Sequence, residues 1–137
     1  VPNGICNVAY SPDGKRIASA GTWDGKPSIK IWELATAREV ATLNGHTGHI
    51  RFVAFHPTSE QLASTGYDQK TFLWDLATGQ PTIELKADRF VGACLAYSSD
   101  GGKLIAGGFN FTNPLSQLGA IKVWDTKNGL ELRTING

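Results

Sequence analysis

The sequence predicts an all-β protein made of three similar units, each with four short antiparallel strands. Two observations support this prediction: a tryptophan ends an alternating apolar run three times, and short apolar runs separated by turn residues recur along the whole chain. No segment of the 137-residue chain shows the apolar periodicity of an amphipathic helix. We therefore expect strands and turns only.

Two aromatic positions recur in every unit and define its limits. They are Tyr10, Phe55 and Tyr97 in one repeated phrase, and Trp32, Trp74 and Trp124 in a second phrase. Chain length varies only ahead of each tryptophan, whereas the segment after it keeps a constant length. The three units are predicted to span residues 1–45, 46–87 and 88–137.

Each unit divides into four predicted strands, because apolar runs alternate with turn clusters. The runs are 5–10, 16–21, 28–33 and 39–43 in the first unit, 50–55, 61–66, 71–75 and 81–85 in the second, and 92–97, 103–108, 120–125 and 131–135 in the third. The segment 11–14, Ser-Pro-Asp-Gly, is typical of a β-turn, since proline presets φ and glycine accepts a positive φ.

The repeat resembles the WD-repeat β-propeller family. Its motifs are Trp32-Glu33, Trp74-Asp75, Trp124-Asp125 and the dipeptide Gly45-His46. The repeat length, the four strands and the Trp-Asp pair together are typical of propeller blades. The resemblance covers the whole chain and implies three consecutive blades whose function is to hold binding partners.

The resemblance also implies a buried hydrogen-bonded set of His, Ser, Asp and Trp in each blade. The second unit has His46, Ser64, Asp68 and Trp74; the first has Ser19, Asp24 and Trp32 with Val1 at the His position; the third has Trp124 with Asp88, Gly107 and Asn110 at the other positions. A buried carboxylate needs such partners. We interpret these residues as structural, and not as a catalytic triad.

Partner binding is expected on the face that carries the turns between second and third strands, together with the connections between blades. Length varies in these turns, at residues 22–28 and in the insert 110–119, and variable loops on a rigid scaffold often carry function. Candidate contact residues are Trp23, Tyr67, Phe109 and Phe111 in these turns, and His49 and Arg51 on the first strand of the second unit. The alternative is that the aromatic residues only cover blade edges.

Composition argues against several other functions. A formal net charge of +1 gives no reason to expect nucleic-acid or membrane binding. Cys6 and Cys94 are interpreted as free thiols, and no secretory signal is evident, so a cytoplasmic location is expected. His49 and His56 are predicted to lie at opposite ends of the blade, so no metal site is expected. The first strands of the units offer no convergent acids or metal ligands, so no cofactor or enzymatic activity is expected.

Three blades do not close a propeller, because a closed ring typically has four to eight blades. Either copies of the chain join head to tail, with a homodimer giving six blades and a homotrimer nine, or the chain belongs with the remaining blades of a longer protein. In the second case its main role would be an oligomerisation module of a larger regulatory or sensor protein. The leading hypothesis is a self-assembling scaffold that binds a protein or peptide.

Overall fold

The structure, a computed structural model, describes residues 3–113 and 116–137 and contains twelve strands in three separate sheets. The first sheet is formed by β1 (Gly4–Tyr10), β2 (Arg16–Trp23), β3 (Lys26–Glu33) and β4 (Arg38–Asn44). The second is formed by β5 (Ile50–Phe55), β6 (Gln61–Gly66), β7 (Thr71–Asp75) and β8 (Gln80–Leu85). The third is formed by β9 (Phe90–Tyr97), β10 (Lys103–Asn113), β11 (Ser116–Asp125) and β12 (Glu131–Asn136).

Each sheet is a simple antiparallel meander in which every strand pairs with the next one along the chain. The described residues contain no helix, which confirms the predicted all-β fold of three four-stranded sheets. Tight turns make the regular meander possible. Four glycines in these turns have positive φ values of 70–73°, which a larger residue would resist: Gly14, Gly79, Gly101 and Gly129.

The insert of the third unit differs from the expected loop. There β10 and β11 continue as a paired ribbon, with Asn110 opposite Leu118 and Asn113 opposite Ser116. The insert therefore lengthens a hairpin, because extra residues added evenly to two paired strands can keep the hydrogen-bond ladder going.

The apolar core consists of two layers, one at each junction between neighbouring sheets. At the first junction the first sheet contributes Ala18, Ala20, Ile29, Ile31 and Leu43, and the second sheet contributes Ile50, Val53, Leu62, Phe72 and Trp74. At the second junction the principal groups are Ala63, Leu73 and Leu85 of the second sheet against Phe90, Leu95, Leu104 and Trp124 of the third. Each sheet thus faces its neighbour through a defined set of positions.

Among residues 3–113 and 116–137, no sheet covers one face of the first sheet. We name it the leading face; its residues are Ile5, Val8, Tyr10, Ile17 and Trp32. Ile5 and Val8 are 54% and 61% exposed, whereas the same residue types at the equivalent positions of the second sheet, Ile50 and Val53, are each 1% exposed. The difference arises because the first sheet covers the second.

The opposite end of the stack is also uncovered. We name the free surface of the third sheet the trailing face; its residues are Ile105, Ile121, Val123 and Ile135. Ile135 is 54% exposed, whereas its equivalent in the first sheet, Leu43, is 1% exposed. In the described part of the chain, the three sheets therefore form an arc with two uncovered ends and no closed ring.

Candidate protein-binding face

A chain of buried polar groups holds one end of the second sheet. The Trp74 indole N–H donates to Ser64 Oγ at 2.8 Å, the His46 Nε2 lies 2.7 Å from the same oxygen, and the His46 Nδ1 lies 2.8 Å from Asp68 Oδ2. With a neutral imidazole protonated at Nδ1, the Ser64 hydroxyl donates to His46 Nε2, and every donor in the chain meets an acceptor. The chain joins the connection before β5 to the turn after β6.

Asp68 completes this arrangement as an acceptor. Burial acts to raise the pKa of its carboxyl, but the hydrogen bond from His46 Nδ1, together with the backbone N–H groups of Thr47 and Lys70, holds that pKa below the ordinary value of 3.8. The ionised carboxylate is thus the form that the second sheet stabilises.

The first and third sheets satisfy their tryptophans differently. Trp32 donates to Ser19 Oγ at 2.8 Å, while Trp124 donates to the backbone oxygen of Lys86 at 3.4 Å. The prediction that Gly107 occupies the serine position of the third sheet is wrong. Ala106 pairs with Lys122 as Ser64 pairs with Phe72, each two residues before the tryptophan, so Ala106 takes the serine position.

Asp24 lies in an exposed turn and not in a buried polar chain like that of His46, Ser64 and Asp68. It is exposed at the tip of a two-residue turn with Gly25, and their positive φ values of 50° and 77° are those of the Asp-Gly turn favoured in tight β-hairpins. Because β2 continues to Trp23, the hairpin of the first sheet has no wide turn that could bring the Asp24 carboxylate inward.

The connections between sheets and the turns between second and third strands lie at the same end of the stack. Tyr67 N–H donates to the oxygen of His49 at 2.8 Å, and Phe111 N–H donates to the oxygen of Arg89 at 2.7 Å. The first bond joins such a turn to the connection before the second sheet, and the second joins the extended end of β10 to the connection before the third sheet. We name this end the loop-rich face.

The second sheet presents a cluster of three side chains on the loop-rich face. Tyr67 is 54% exposed. The Arg51 guanidinium stacks 5.0 Å from the centre of the Tyr67 ring and donates to its hydroxyl, and His49 meets the ring edge-on at 6.5 Å between ring centres. Arg51 is the extra residue of a β-bulge between Ile50 and Phe52. The structure therefore brings together three of the six predicted contact residues.

The remaining predicted contact residues are divided between two places. Phe109 is 44% exposed and lies three residues after Ala106, as Tyr67 lies three after Ser64. Phe111, on the same strand, is half-buried.

Trp23 is not equivalent to Tyr67, contrary to prediction. It lies four residues after Ser19, the place that Asp68 holds after Ser64. The Trp23 ring packs 6.1 Å from Trp32, with the Lys30 ammonium 5.1 Å from its centre, so it covers part of the leading face.

Sequence reasoning missed the polar contacts between sheets. Across the first junction Arg16 forms two hydrogen bonds to the Glu60 carboxylate, at 2.8 and 2.7 Å, and Asn7 Oδ1 accepts the backbone N–H of Val53 at 3.0 Å. Across the second junction His56 Nε2 donates to the oxygen of Gly101 at 3.2 Å. Asn7, Arg16, Glu60 and His56 lie in the repeated phrase, but the other units have different side chains at these positions, so the repeat gave no signal for the contacts.

Two further observations concern other kinds of site. Within residues 3–113 and 116–137, no cluster of three or more His, Cys, Asp or Glu side chains could hold a metal ion. In the same part of the chain, no helix is long and apolar enough to cross a membrane.

Three meandering four-stranded sheets, packed face to face through a buried tryptophan layer, define a set of β-propeller blades. The family described as WD domain, G-beta repeat matches residues 2–33 and 37–75, which is more than half of the chain. The chain belongs to the WD-repeat family, whose members generally act as scaffolds for protein interactions.

Curated relatives are WD-repeat proteins of greater length. The chain is 30% identical over 130 residues to small ribosomal subunit protein RACK1y of Oryza sativa subsp. japonica, covering 93% of this chain and 35% of that protein. It is 29% identical over 136 residues to the periodic tryptophan protein 2 homolog of Mus musculus, covering 99% and 14%. It is 41% identical over 68 residues to the Lissencephaly-1 homolog of Dictyostelium discoideum, covering 47% and 16%. The chain thus spans about a third or less of each relative's length.

Proposed function

We propose that this chain is a non-enzymatic scaffold that binds a protein or peptide on its loop-rich face, with units 1–45, 46–87 and 88–137 acting as three blades. The observation that carries the proposal is the cluster of half-buried His49 and Arg51 around the exposed ring of Tyr67. Large aromatic residues are usually covered in a monomer, and aromatic and arginine side chains are enriched at binding hot spots. Here the aromatic ring is exposed and already held in place by its neighbours.

Rigidity favours the second sheet as the anchor point. Tyr67 immediately precedes Asp68, whose carboxylate is fixed by His46, Thr47 and Lys70. The ring therefore loses little conformational freedom on binding, which raises affinity for a given contact area. A guanidinium beside an aromatic ring suits a partner that offers a carboxylate next to an apolar side chain.

The third sheet supplies the second half of the binding surface in this proposal. Phe109 lies at the position equivalent to Tyr67, and Phe111 lies two residues further along the same strand. Trp23 contributes less, because its ring packs against Trp32. A partner that spans the second and third sheets would contact both aromatic positions.

The proposal is tested by selecting a random peptide library, displayed on phage, against the full chain. Binding of a selected peptide is then measured by calorimetry. We expect Tyr67→Ala and Arg51→Ala each to weaken binding at least tenfold. Leu130→Ala is the matched control, because Leu130 is 62% exposed but lies in a turn at the opposite end. Selected peptides that bind the Tyr67→Ala chain as tightly as the wild type would overturn the proposal.

Two arrangements of the uncovered ends are compatible with this function. Copies of the chain could join head to tail, with two giving six blades and three giving nine, or the ends could be covered by the remaining blades of a longer protein. In the second arrangement the chain would act mainly as an oligomerisation module within a regulatory or sensor protein. The loop-rich face is the same in both arrangements.

A further inference from the structure

An open cleft lies beside the turn that carries Tyr67, where the second junction reaches the loop-rich face. It has a volume of about 380 Å³, and its walls are the turn 68–70 of the second sheet and the segment 84–89 that leads to the third sheet. The Phe111 N–H donates to the oxygen of Arg89. The cleft therefore lies between Tyr67 and the aromatic positions of the third sheet.

Three cationic side chains line the cleft, and they are those of Lys70, Lys86 and Arg89. Within residues 3–113 and 116–137, none of the three forms a salt bridge. Lys70 is held in place, since its backbone N–H donates to Asp68 Oδ1 at 3.2 Å and its ammonium lies 5.7 Å from the centre of the Phe72 ring. The cleft thus presents positive charge that the described residues leave unpaired.

Carboxylates also line the cleft, but they do not balance its cations. The Asp68 carboxylate is bonded to His46, which leaves the exposed carboxylates of Glu84 and Asp88. Three cations against these two leave one positive charge in excess, and the guanidinium of Arg51 beside Tyr67 adds another. The site therefore favours an anionic group, provided that its charge lies at the cations and not along the whole surface.

The backbone at two points of the cleft lies in the left-handed region. The φ angle is 63° at Gln69 and 54° at Arg89, although neither residue is glycine. This conformation is unfavourable for a residue that has a Cβ atom, and glycine would relieve the strain. Both positions instead have a long polar side chain that lines the cleft. A binding role for the Arg89 side chain would explain why arginine stands at such a position.

The strand order sets the distance between the cleft and Arg51. Arg51 lies on β5, one edge strand of the second sheet, whereas the cleft lies at the end of β8, the other edge strand. The turn that carries Tyr67 joins the two middle strands, β6 and β7. Three spacings between neighbouring strands amount to about 14 Å, which an extended peptide covers in about four residues.

We propose that the partner is an acidic peptide that crosses the second sheet in an extended conformation. One carboxylate pairs with Arg51, and the apolar side chain that follows packs on Tyr67. A second carboxylate, about four residues from the first, enters the cleft and pairs with Lys70 and Arg89. The inference rests on the proposed function and adds the charge and the spacing of the partner.

A peptide fits this surface better than a nucleic acid does. A nucleic acid has a phosphate at every nucleotide, so it needs an unbroken basic surface. Here Glu84 and Asp88 lie among the cations and would repel part of such a backbone. A peptide, in contrast, can place its carboxylates only where the cations are.

The library selection that tests the proposed function also tests this inference. Peptides selected against the full chain should be enriched in aspartate or glutamate on both sides of an apolar residue. Selected peptides that need Tyr67 but lack this enrichment would refute the acidic partner and leave the proposed function standing. Selected peptides that bind the Tyr67→Ala chain as tightly as the wild type would refute both.

Charge variants locate the second carboxylate of a selected acidic peptide. Lys70→Gln and Arg89→Gln should each weaken binding about two- to fivefold, whereas Glu84→Gln should strengthen it by a similar factor, because a repelling carboxylate is removed. Lys127→Gln is the matched control, since Lys127 is exposed at the opposite end of the stack. Thermal unfolding checks that each variant is folded. Cleft variants that all behave like Lys127→Gln, or a Glu84→Gln chain that binds more weakly, would contradict the proposal.

Single-stranded DNA of mixed sequence distinguishes an acidic-peptide site from a general polyanion site. The peptide should bind more weakly as the salt concentration rises, because its charge pairs are screened, and the DNA should not displace it. DNA that displaces the peptide at a lower concentration than unlabelled peptide does would show that the surface binds nucleic acid instead. Peptide affinity that is unchanged between about 50 and 500 mM salt would exclude the proposed charge pairs.

Discussion

The second and third sheets both bury a tryptophan completely, yet they provide different acceptors for the indole N–H. Trp74 and Trp124 are each 0% exposed. Trp74 donates to Ser64 Oγ at 2.8 Å, and the chain continues through His46 to Asp68, whereas Trp124 donates to a single backbone oxygen at 3.4 Å. The cause is one side chain, because Ala106 stands where the second sheet has Ser64.

This difference shows that a blade needs an acceptor for its tryptophan but not a particular one. The polar chain of the second sheet does more than satisfy the indole: it ties the connection before β5 to the turn that carries Tyr67. A network that is satisfied at every member is stiff. The second sheet is therefore better suited to hold a contact residue in a fixed position.

Ser64→Ala should have the largest effect, because it gives the second sheet the residue type of the third. The Trp74 N–H would lose its acceptor and the His46 Nε2 its donor, both in a buried site. We expect a loss of about 2–4 kcal/mol in the free energy of unfolding, from two unsatisfied buried groups. Urea denaturation would measure it, and a loss below about 1 kcal/mol would mean that the indole finds another acceptor.

The turns between first and second strands offer the next largest effect. Gly14 and Gly101 occupy equivalent turns with φ values of 70° and 73°. An added Cβ at Gly14 meets open space, whereas one at Gly101 would lie 2.0 Å from His56 Nε2. Gly14→Ala should cost about 1 kcal/mol through backbone strain, and Gly101→Ala about 2–3 kcal/mol, because His56 must also move.

A second substitution checks the cause of this difference. His56→Ala in the Gly101→Ala background should bring the loss of unfolding free energy closer to the Gly14→Ala value. Equal losses in the two single variants would show that the ring moves aside freely. That outcome would contradict a specific contact between the second and third sheets at this point.

Asp68→Asn is expected to cost about 1–2 kcal/mol in the free energy of unfolding, since charge-assisted hydrogen bonds from His46 and Thr47 become neutral or are lost. Asp24→Asn is the matched control, because asparagine also tolerates the left-handed backbone of that exposed turn. Thermal unfolding at neutral pH would measure both variants. A similar loss in the free energy of unfolding for Asp68→Asn and Asp24→Asn would contradict a special role for the polar chain of the second sheet.

The pH dependence of stability provides a second test of the contribution of Asp68. The pKa of Asp68 is lowered on folding, so its contribution to stability is present above the ordinary value of 3.8 and is lost as the pH falls through the lower folded value. The stability difference between the wild type and Asp68→Asn should therefore be constant near neutral pH and shrink in acid. Other carboxyls with lowered pKa values, such as Glu60, affect both proteins equally.

Much of this fold could be predicted because each strand is bounded by local turn chemistry. The predicted strands 50–55, 61–66 and 71–75 coincide with β5, β6 and β7. The prediction failed where extra residues lay between two strands. The insert 110–119 was expected as a loop, but length alone does not distinguish a loop from a longer hairpin.

The contact residues were predictable in part. Tyr67, His49 and Arg51 do lie together. Their unit has no insert between its second and third strands, so the alignment of the repeats places these residues correctly. Trp23 was placed on the loop-rich face because Asp24 was aligned with Asp68. The Asp24-Gly25 dipeptide was the available signal against that alignment, since it favours a two-residue turn and extends β2 through Trp23. Its contact with Trp32 depends on the uncovered leading face, which no local pattern encodes.

Ala106→Ser should have the smallest effect, because it restores to the third sheet the residue that the second uses. The new hydroxyl could accept the Trp124 N–H, whose present bond to the Lys86 oxygen is long. Its own proton would then need an acceptor in a site where Ala106 is 0% exposed, and Asp88, at the histidine position, is exposed. The two effects oppose each other, so the free energy of unfolding should change by less than about 1 kcal/mol.

Ser19→Ala in the first sheet is the reference for this substitution. It should cost about 1 kcal/mol, as it removes the acceptor of Trp32 in a partly buried site. Chemical denaturation of both variants would give the comparison. If Ala106→Ser stabilised the chain by as much as Ser19→Ala destabilises it, the hydroxyl alone would account for the tryptophan site. A gain near zero would show that serine is useful to a blade only when histidine accepts its proton.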